Sequence, residues 1–186
     1  MIVLVGMPGS GKSSAGRQVA RRFGLPFVDS DHLIEAEIGM PIKDYFARHG
    51  EEAFRDLETA TLRRVGERPG QCVLSTGAGS VLRPENRALL REKGTVLYLR
   101  ASPEEIYRRL RHDTKRPLLQ VADPRAKLQE LFQARDPLYR ETAHYVIETG
   151  RSSVQGLVHH IAMQLEVAGV LPARGQRGQA PRSDAR

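Results

Sequence analysis

The chain is predicted to fold as a three-layer α/β sandwich, with a central five-stranded parallel sheet and helices on both faces. Three observations carry this. Five short apolar runs, "IVLV", "PFVD", "QCVLS", "GTVLYLR" and "HYVIE", read as strands. The segments between them place apolar residues at helical spacing, as Phe54, Leu57, Leu62 and Val65 do. A glycine-rich loop joins the first run to a helix. Strands alternating with helices argue for parallel pairing. Right-handed crossovers then bring the strands' carboxyl ends to one edge, where ligands bind.

The first strand and helix lie in "IVLVGMPGSGKSSAGRQVA", where Gly6, Gly11, Lys12 and Ser13 match G-x-x-x-x-G-K-[ST]. Glycines let the backbone curl so that N–H groups point inward, and the following helix adds partial positive charge at its N-terminus. Gly9, Ser10, Gly11, Lys12, Ser13 and Ser14 are therefore the candidate nucleotide cradle. Lys12 would reach the β- and γ-phosphates, and the Ser13 hydroxyl would join a Mg²⁺ shell. Val19, Ala20 and Phe23 form the helix's apolar side. A switch GTPase is excluded, because reading guanine takes Asn-Lys-x-Asp and the single asparagine, Asn86, precedes Arg87. The run "QCVLSTGAGS" ends without the acid a motor ATPase places there. A small kinase gains from both.

In "FVDSDHLIE", Asp29 and Asp31 are two residues apart and on an extended segment would point to one side. They read either as surface carboxylates, with Asp31 a helix N-cap, or as an acid pair beside Mg²⁺, with Asp29 orienting the metal's waters. "HGEEAFRDLE" reads as a helix on which Glu51 and Glu58 lie within pairing distance of Arg55. This is either a solvated ladder or part of a site. "STGAGSVL" after the third strand is either a tight turn or backbone that approaches a ligand closely.

The length of 186 residues suits one domain, here residues 1–171, followed by a polar tail over 172–186 expected to be disordered. The formal net charge is +7, and the tail's four arginines against one aspartate supply three of it. No stretch interleaves aromatic and basic residues as base-stacking surfaces do, so nucleic acid is weakly supported. The apolar runs are strand-sized, the start lacks a signal peptide's basic flank, and Cys72 stands alone. A cytoplasmic protein without membrane or disulfide follows, with Cys72 read as a small core residue.

Together "GMPGSGKSS", "FVDSD", "GMPIKDYFARHGEEAFRDLE", "STGAGSVL", "KRPLL" and "DPLYRETA", in this order, resemble the shikimate kinase family over everything before the tail. The resemblance implies a P-loop kinase fold with a mobile lid over about 112–123 and a shikimate-binding region over about 31–60. It implies transfer of the γ-phosphoryl group of ATP to the 3-hydroxyl of shikimate, with Mg²⁺, in aromatic amino-acid biosynthesis. ATP and shikimate would be the partners of a monomer that engages neither nucleic acid nor membrane. Asp29 would assist the metal with Ser13. Asp31 would bind the hydroxyls of shikimate and act as base or orienting group. Arg55, held by Glu58, and Arg135 would clamp the carboxylate; Gly77, Ala78 and Gly79 would approach the substrate; Phe46 and Phe54 would wall its ring. Lys12 and the lid residue Arg116 would stabilise the transferring phosphoryl group. Arg109 would stack on adenine, and Arg151 in "TGRSS" would line the adenine pocket. The family's turn carries three glycines, whereas this one has Ala78, which would be strained if that position needed a positive φ.

Overall fold

The computed structural model describes residues 1–111, 121–150 and 153–172. Five strands, β1 (Ile2–Val5), β2 (Phe27–Asp29), β3 (Val73–Ser75), β4 (Thr95–Arg100) and β5 (Tyr145–Glu148), coincide with the five apolar runs. All pair in parallel in the order β2-β3-β1-β4-β5. The helices are α1 (Lys12–Phe23), α2 (Ser30–Ile38), α3 (Ile42–Gly66), α4 (Pro84–Lys93), α5 (Pro103–Leu110), α6 (Pro124–Thr142) and α7 (Val154–Val167).

Because β1 is central, all four of its side chains are fully buried, and alternation sends them to opposite cores. Val3 and Val5, with Val96 and Tyr98 of β4, pack with Leu62, Leu90, Leu128 and Tyr139 from α3, α4 and α6. Ile2 and Leu4, with Leu97 and Leu99, pack with Val19 of α1 and Ile161 of α7. A strand buried on both faces reads as an unbroken apolar run, which is why "IVLV" and "VLYL" do not alternate. The α3 segment is two helices joined at Gly50 (φ 81°, ψ 174°), a conformation that needs glycine. Glu35 Oε1 accepts from the Ile42 backbone N–H at 3.0 Å and so supplies the cap that Pro41, at the N-cap position, does not make.

Cys72 is half-buried just before β3, away from the carboxyl-end edge of the sheet, and burial pushes its thiol above the ordinary value. No helix among the described residues is long and apolar enough to cross a membrane. The expected lid over about 112–123 and the expected tail over 172–186 fall largely on 112–120 and 173–186, which lie outside the described residues, as do Arg116 and Arg151.

Leu97→Ala should destabilise the fold by about 2–5 kcal/mol, because its fully buried site lies between two layers that cannot collapse onto it. Urea unfolding should show a lowered midpoint at unchanged slope.

Candidate active site

The cleft lies where the chain turns from β1 to α1 beside the end of β3, the point at which strand order reverses. It encloses about 580 Å³ between the phosphate loop, the acids after β2, Ser75, Ala78 and Arg109. Gly11, at φ +97°, turns the loop into α1 and serves as its N-cap. Lys12 is the first helical residue, and its Nζ donates to the carbonyls of Gly6 (2.8 Å) and Met7 (2.9 Å), which hold the ammonium over the loop. Ser10 Oγ is buried and has no hydrogen-bond partner among the described residues.

Ser13 Oγ donates to Asp29 Oδ2 at 2.8 Å and lies 3.2 Å from Ser75 Oγ. The third strand thus ends in a serine hydroxyl where an acid would have been diagnostic. Among the described residues no cluster of three or more His, Cys, Asp or Glu could enclose a metal. The hydroxyl–carboxylate pair still fits Mg²⁺, which keeps several waters and takes one or two protein oxygens plus substrate phosphates.

Asp29 and Asp31 do not share an extended segment, contrary to the expectation from their spacing. β2 stops at Asp29, which is itself the N-cap of α2 and accepts from the Asp31 backbone N–H at 3.2 Å. Asp31 therefore stands on the first turn of a helix, and the capping role expected of it belongs to Asp29. Burial is the main cause that raises the Asp31 carboxyl from 3.8 to about 6; Asp29, Glu58 and Glu35 push the same way and Lys12 opposes them.

Arg55 and Glu58 form a buried pair, 8% and 1% exposed, with Arg55 Nη1 donating to Glu58 Oε2 at 2.9 Å. Glu51 accepts from Arg55 Nη2 at 2.9 Å, and Ser80 Oγ donates to Glu58 Oε1 at 2.8 Å. The ladder read from spacing is thus a buried Arg55–Glu58 pair with Glu51 at its exposed edge. Phe46 and Phe54, ring centroids 4.5 Å apart, flank the guanidinium at 5.9 and 5.2 Å.

The turn after β3 is packed against both acid groups. A Cβ on Gly77 would stand 2.6 Å from Asp31 Oδ1 and 3.0 Å from Glu58 Oε1, and one on Gly79 would overlap the Arg55 guanidinium. The Gly77 N–H donates to Ser30 Oγ at 3.0 Å. Glycine is required there by close approach, since neither position has a positive φ. Among the described residues no non-glycine has one, so Ala78 is unstrained. Its carbonyl accepts from Tyr139 OH at 2.6 Å and lies 3.5 Å from Arg135 Nη1. Arg109 bridges the loop and the end of β5, reaching Ser10 O (3.5 Å), Thr149 Oγ1 (3.2 Å) and Gly150 O (2.7 Å).

The structure therefore gathers the cradle, Asp29, Asp31, Arg55, Glu58, Arg135 and the 77–79 turn around one edge. Phe46 and Phe54 stand behind Arg55, and Arg109 closes the opposite end. Ser75, Ser80, Glu35 and Tyr139 were not picked out from the sequence. Glu35 ends "FVDSDHLIE", Ser75 and Ser80 lie in "STGAGSVL" and Tyr139 in "DPLYRETA", and membership of those stretches is the only signal they carry.

A family model described as shikimate kinase matches residues 8–166. A shikimate kinase of Paracidovorax citrulli is 59% identical over 174 residues, covering 92% of this chain and 94% of its own. One of Ralstonia nicotianae is 56% identical over 91% of this chain and 89% of its own. The solved structure of a shikimate kinase from Acinetobacter baumannii in complex with shikimate superposes with a TM-score of 0.84, at 42% identity, over 90% of this chain and 93% of that one. With the family model spanning most of its length and relatives above half identity, the chain belongs to the shikimate kinase family.

Proposed function

We infer that the cleft transfers the γ-phosphoryl group of ATP to the 3-hydroxyl of shikimate, giving shikimate 3-phosphate and ADP. Family membership supports the reaction, and with it the place in aromatic amino-acid biosynthesis. The observation that carries the residue roles is the 77–79 turn, against which Asp31 and the Arg55–Glu58 pair both pack beside the phosphate loop.

In this reading the backbone from Gly9 to Ser14 cradles the phosphates, and Lys12 offsets the charge on the group in transit. Ser13 and Asp29 would hold Mg²⁺, which when bound neutralises phosphate charge and aligns the transfer. Asp31, beside the cradle, accepts a hydrogen bond from the acceptor hydroxyl and takes up its proton as the new bond forms. Arg55 and Arg135 bind the acceptor's carboxylate, Glu58 and Ser80 keep Arg55 in one orientation, and the Phe46–Phe54 pair walls the ring. Transition states of this reaction are loose, so alignment and charge compensation do most of the catalysis. Arg109 lies against the adenine end. Arg116 and Arg151, outside the described residues, complete the nucleotide site in the same proposal. A cytoplasmic monomer acting on small molecules alone, one domain over 1–171 with a tail that plays no part in catalysis, belongs to it as well.

A panel of acceptors in an ADP-release assay should give turnover with shikimate and little with gluconate or nucleoside monophosphates; equal turnover with these would overturn the substrate assignment.

Asp31→Asn should abolish turnover yet raise the melting temperature. The folded carboxyl titrates near 6 rather than 3.8, so between those values the folded chain holds a proton that the unfolded chain has released. Stability then falls as pH rises through that window and stays lower above it. The variant should melt a few degrees higher than the parent at neutral pH, with the gap closing below about pH 4. Parent turnover should itself decline as pH falls through about 6.

Gly79→Ala would drive a methyl into the Arg55 guanidinium. The KM for shikimate should rise at least tenfold while the KM for ATP moves less than twofold, measured by varying each substrate in turn.

A further inference from the structure

Arg135 sits on α6, and two neighbours on that helix fix how it is presented. Asp136 Oδ1 accepts from Tyr98 OH at 2.8 Å and Arg100 Nε at 3.1 Å, both on β4, while Oδ2 accepts from Arg140 Nε at 2.7 Å. One turn further, the fully buried ring of Tyr139 stacks on Tyr98 with centroids 4.9 Å apart. Its hydroxyl makes the 2.6 Å bond to the Ala78 carbonyl, the same oxygen that Arg135 Nη1 approaches at 3.5 Å. The helix is therefore tied to the sheet through Asp136 and to the substrate turn through Tyr139, with Arg135 one residue before the first tie and one turn before the second. Burial holds the Tyr139 phenol far above its ordinary titration range, so the hydroxyl remains a donor.

We propose that Tyr139 is a positioning residue for the acid-binding end of the cleft. Its hydroxyl pins the Ala78 carbonyl to α6 and thereby sets the separation between Arg135 on the helix and Arg55, which packs against Gly79 in the same turn. Without that bond the stacked ring would still fill the core, but the turn and the helix would be free to part, and the two arginines would lose their shared spacing. A carboxylate held by both depends on that spacing, because paired hydrogen bonds tolerate little misplacement. Nucleotide binding does not depend on it, because neither Tyr139 nor Ala78 carries the phosphate loop. The proposal rests on the reading of Arg135 as a carboxylate ligand.

The test uses Tyr139→Phe in the full chain, which removes one oxygen and keeps the stack. The KM for shikimate should rise about five- to tenfold, the scale of one buried hydrogen bond, with the KM for ATP within twofold. In an Arg135→Ala background the same change should add almost nothing, since the arginine it positions is gone. Equal shifts in both KM values, effects that add across the two sites, or no change in Tyr139→Phe would each overturn the proposal. Tyr98→Phe, which removes one tie of Asp136 and leaves Tyr139 in place, should give a smaller rise in the same KM. If Tyr139→Phe is destabilised, the same two KM values are measured at a temperature where its circular dichroism matches the parent's; a rise confined to shikimate supports the proposal and equal shifts overturn it. Arg135→Ala with an unaltered KM for shikimate would sink the reading of Arg135 itself, whereas a raised KM there with none in Tyr139→Phe would sink the positioning role alone.

Discussion

The rest of the site depends on a charge pair that the fold keeps out of water. Arg55 and Glu58 are almost fully buried, and stripping water from two such ions costs several kcal/mol each, which only good geometry and further hydrogen bonds can offset. Those bonds are present: Glu58 takes one from Arg55 and one from Ser80, while Arg55 also reaches Glu51. Apolar residues of similar size in place of a buried ion pair are often as stabilising or more so, so the pair is weak evidence for a role in stability. What the pair does is occupy space that side chains at 77 and 79 would need. The glycines of the turn and the buried pair are thus one constraint seen from two sides.

The same economy governs the acids. Asp29 caps α2 with one carboxylate oxygen and accepts from Ser13 with the other. The helix that carries Asp31 is therefore registered against the helix that carries the phosphate loop by a single side chain. The parallel sheet makes this possible, since β3 lies directly between β1 and β2 and all three release their loops on the same side. Burying a carboxyl there has a cost, to which the neighbouring carboxylates add; it is visible in the raised titration of Asp31, and Lys12 is the cation that opposes it.

Much of this was legible in the sequence where the signal was local. The five strands were, because strands covered on both faces are unbroken apolar runs. The phosphate loop was, because glycines, lysine and hydroxyl stand at fixed offsets along one turn. "FVDSD" was misread as extended because alternation was extrapolated past a capping residue: the cap ends the strand at Asp29 and starts a helix at Ser30. Cys72 proved half-buried rather than a core residue. Ser80 bonding Glu58 and Tyr139 bonding Ala78 join positions 22 and 61 apart in the chain, which no local pattern encodes. Whether Ala78 was strained turned on a backbone angle that only the assembled turn could supply.

The two arginines assigned to the acceptor carboxylate are not electrostatically equivalent. Arg55 already faces Glu58 and Glu51, so its charge is largely compensated before any substrate arrives. Arg135 makes no ion pair among the described residues, and the contact it makes near the turn is to a carbonyl. The cleft beyond them is lined by Asp29, Asp31 and Glu35, with the cations Lys12 and Arg109 at the phosphate loop. On the proposed reading, Arg135 supplies attraction for an acid acceptor at this end of the cleft, while Arg55, locked by its partners and flanked by two phenyl rings, contributes a fixed hydrogen-bonding geometry. Attraction without fixed geometry would admit any small anion, and geometry without attraction would hold an acid only weakly. On this reading, a site that accepts one acid among many needs both arginines at a constant distance, and α6 and the 77–79 turn are the elements that carry them.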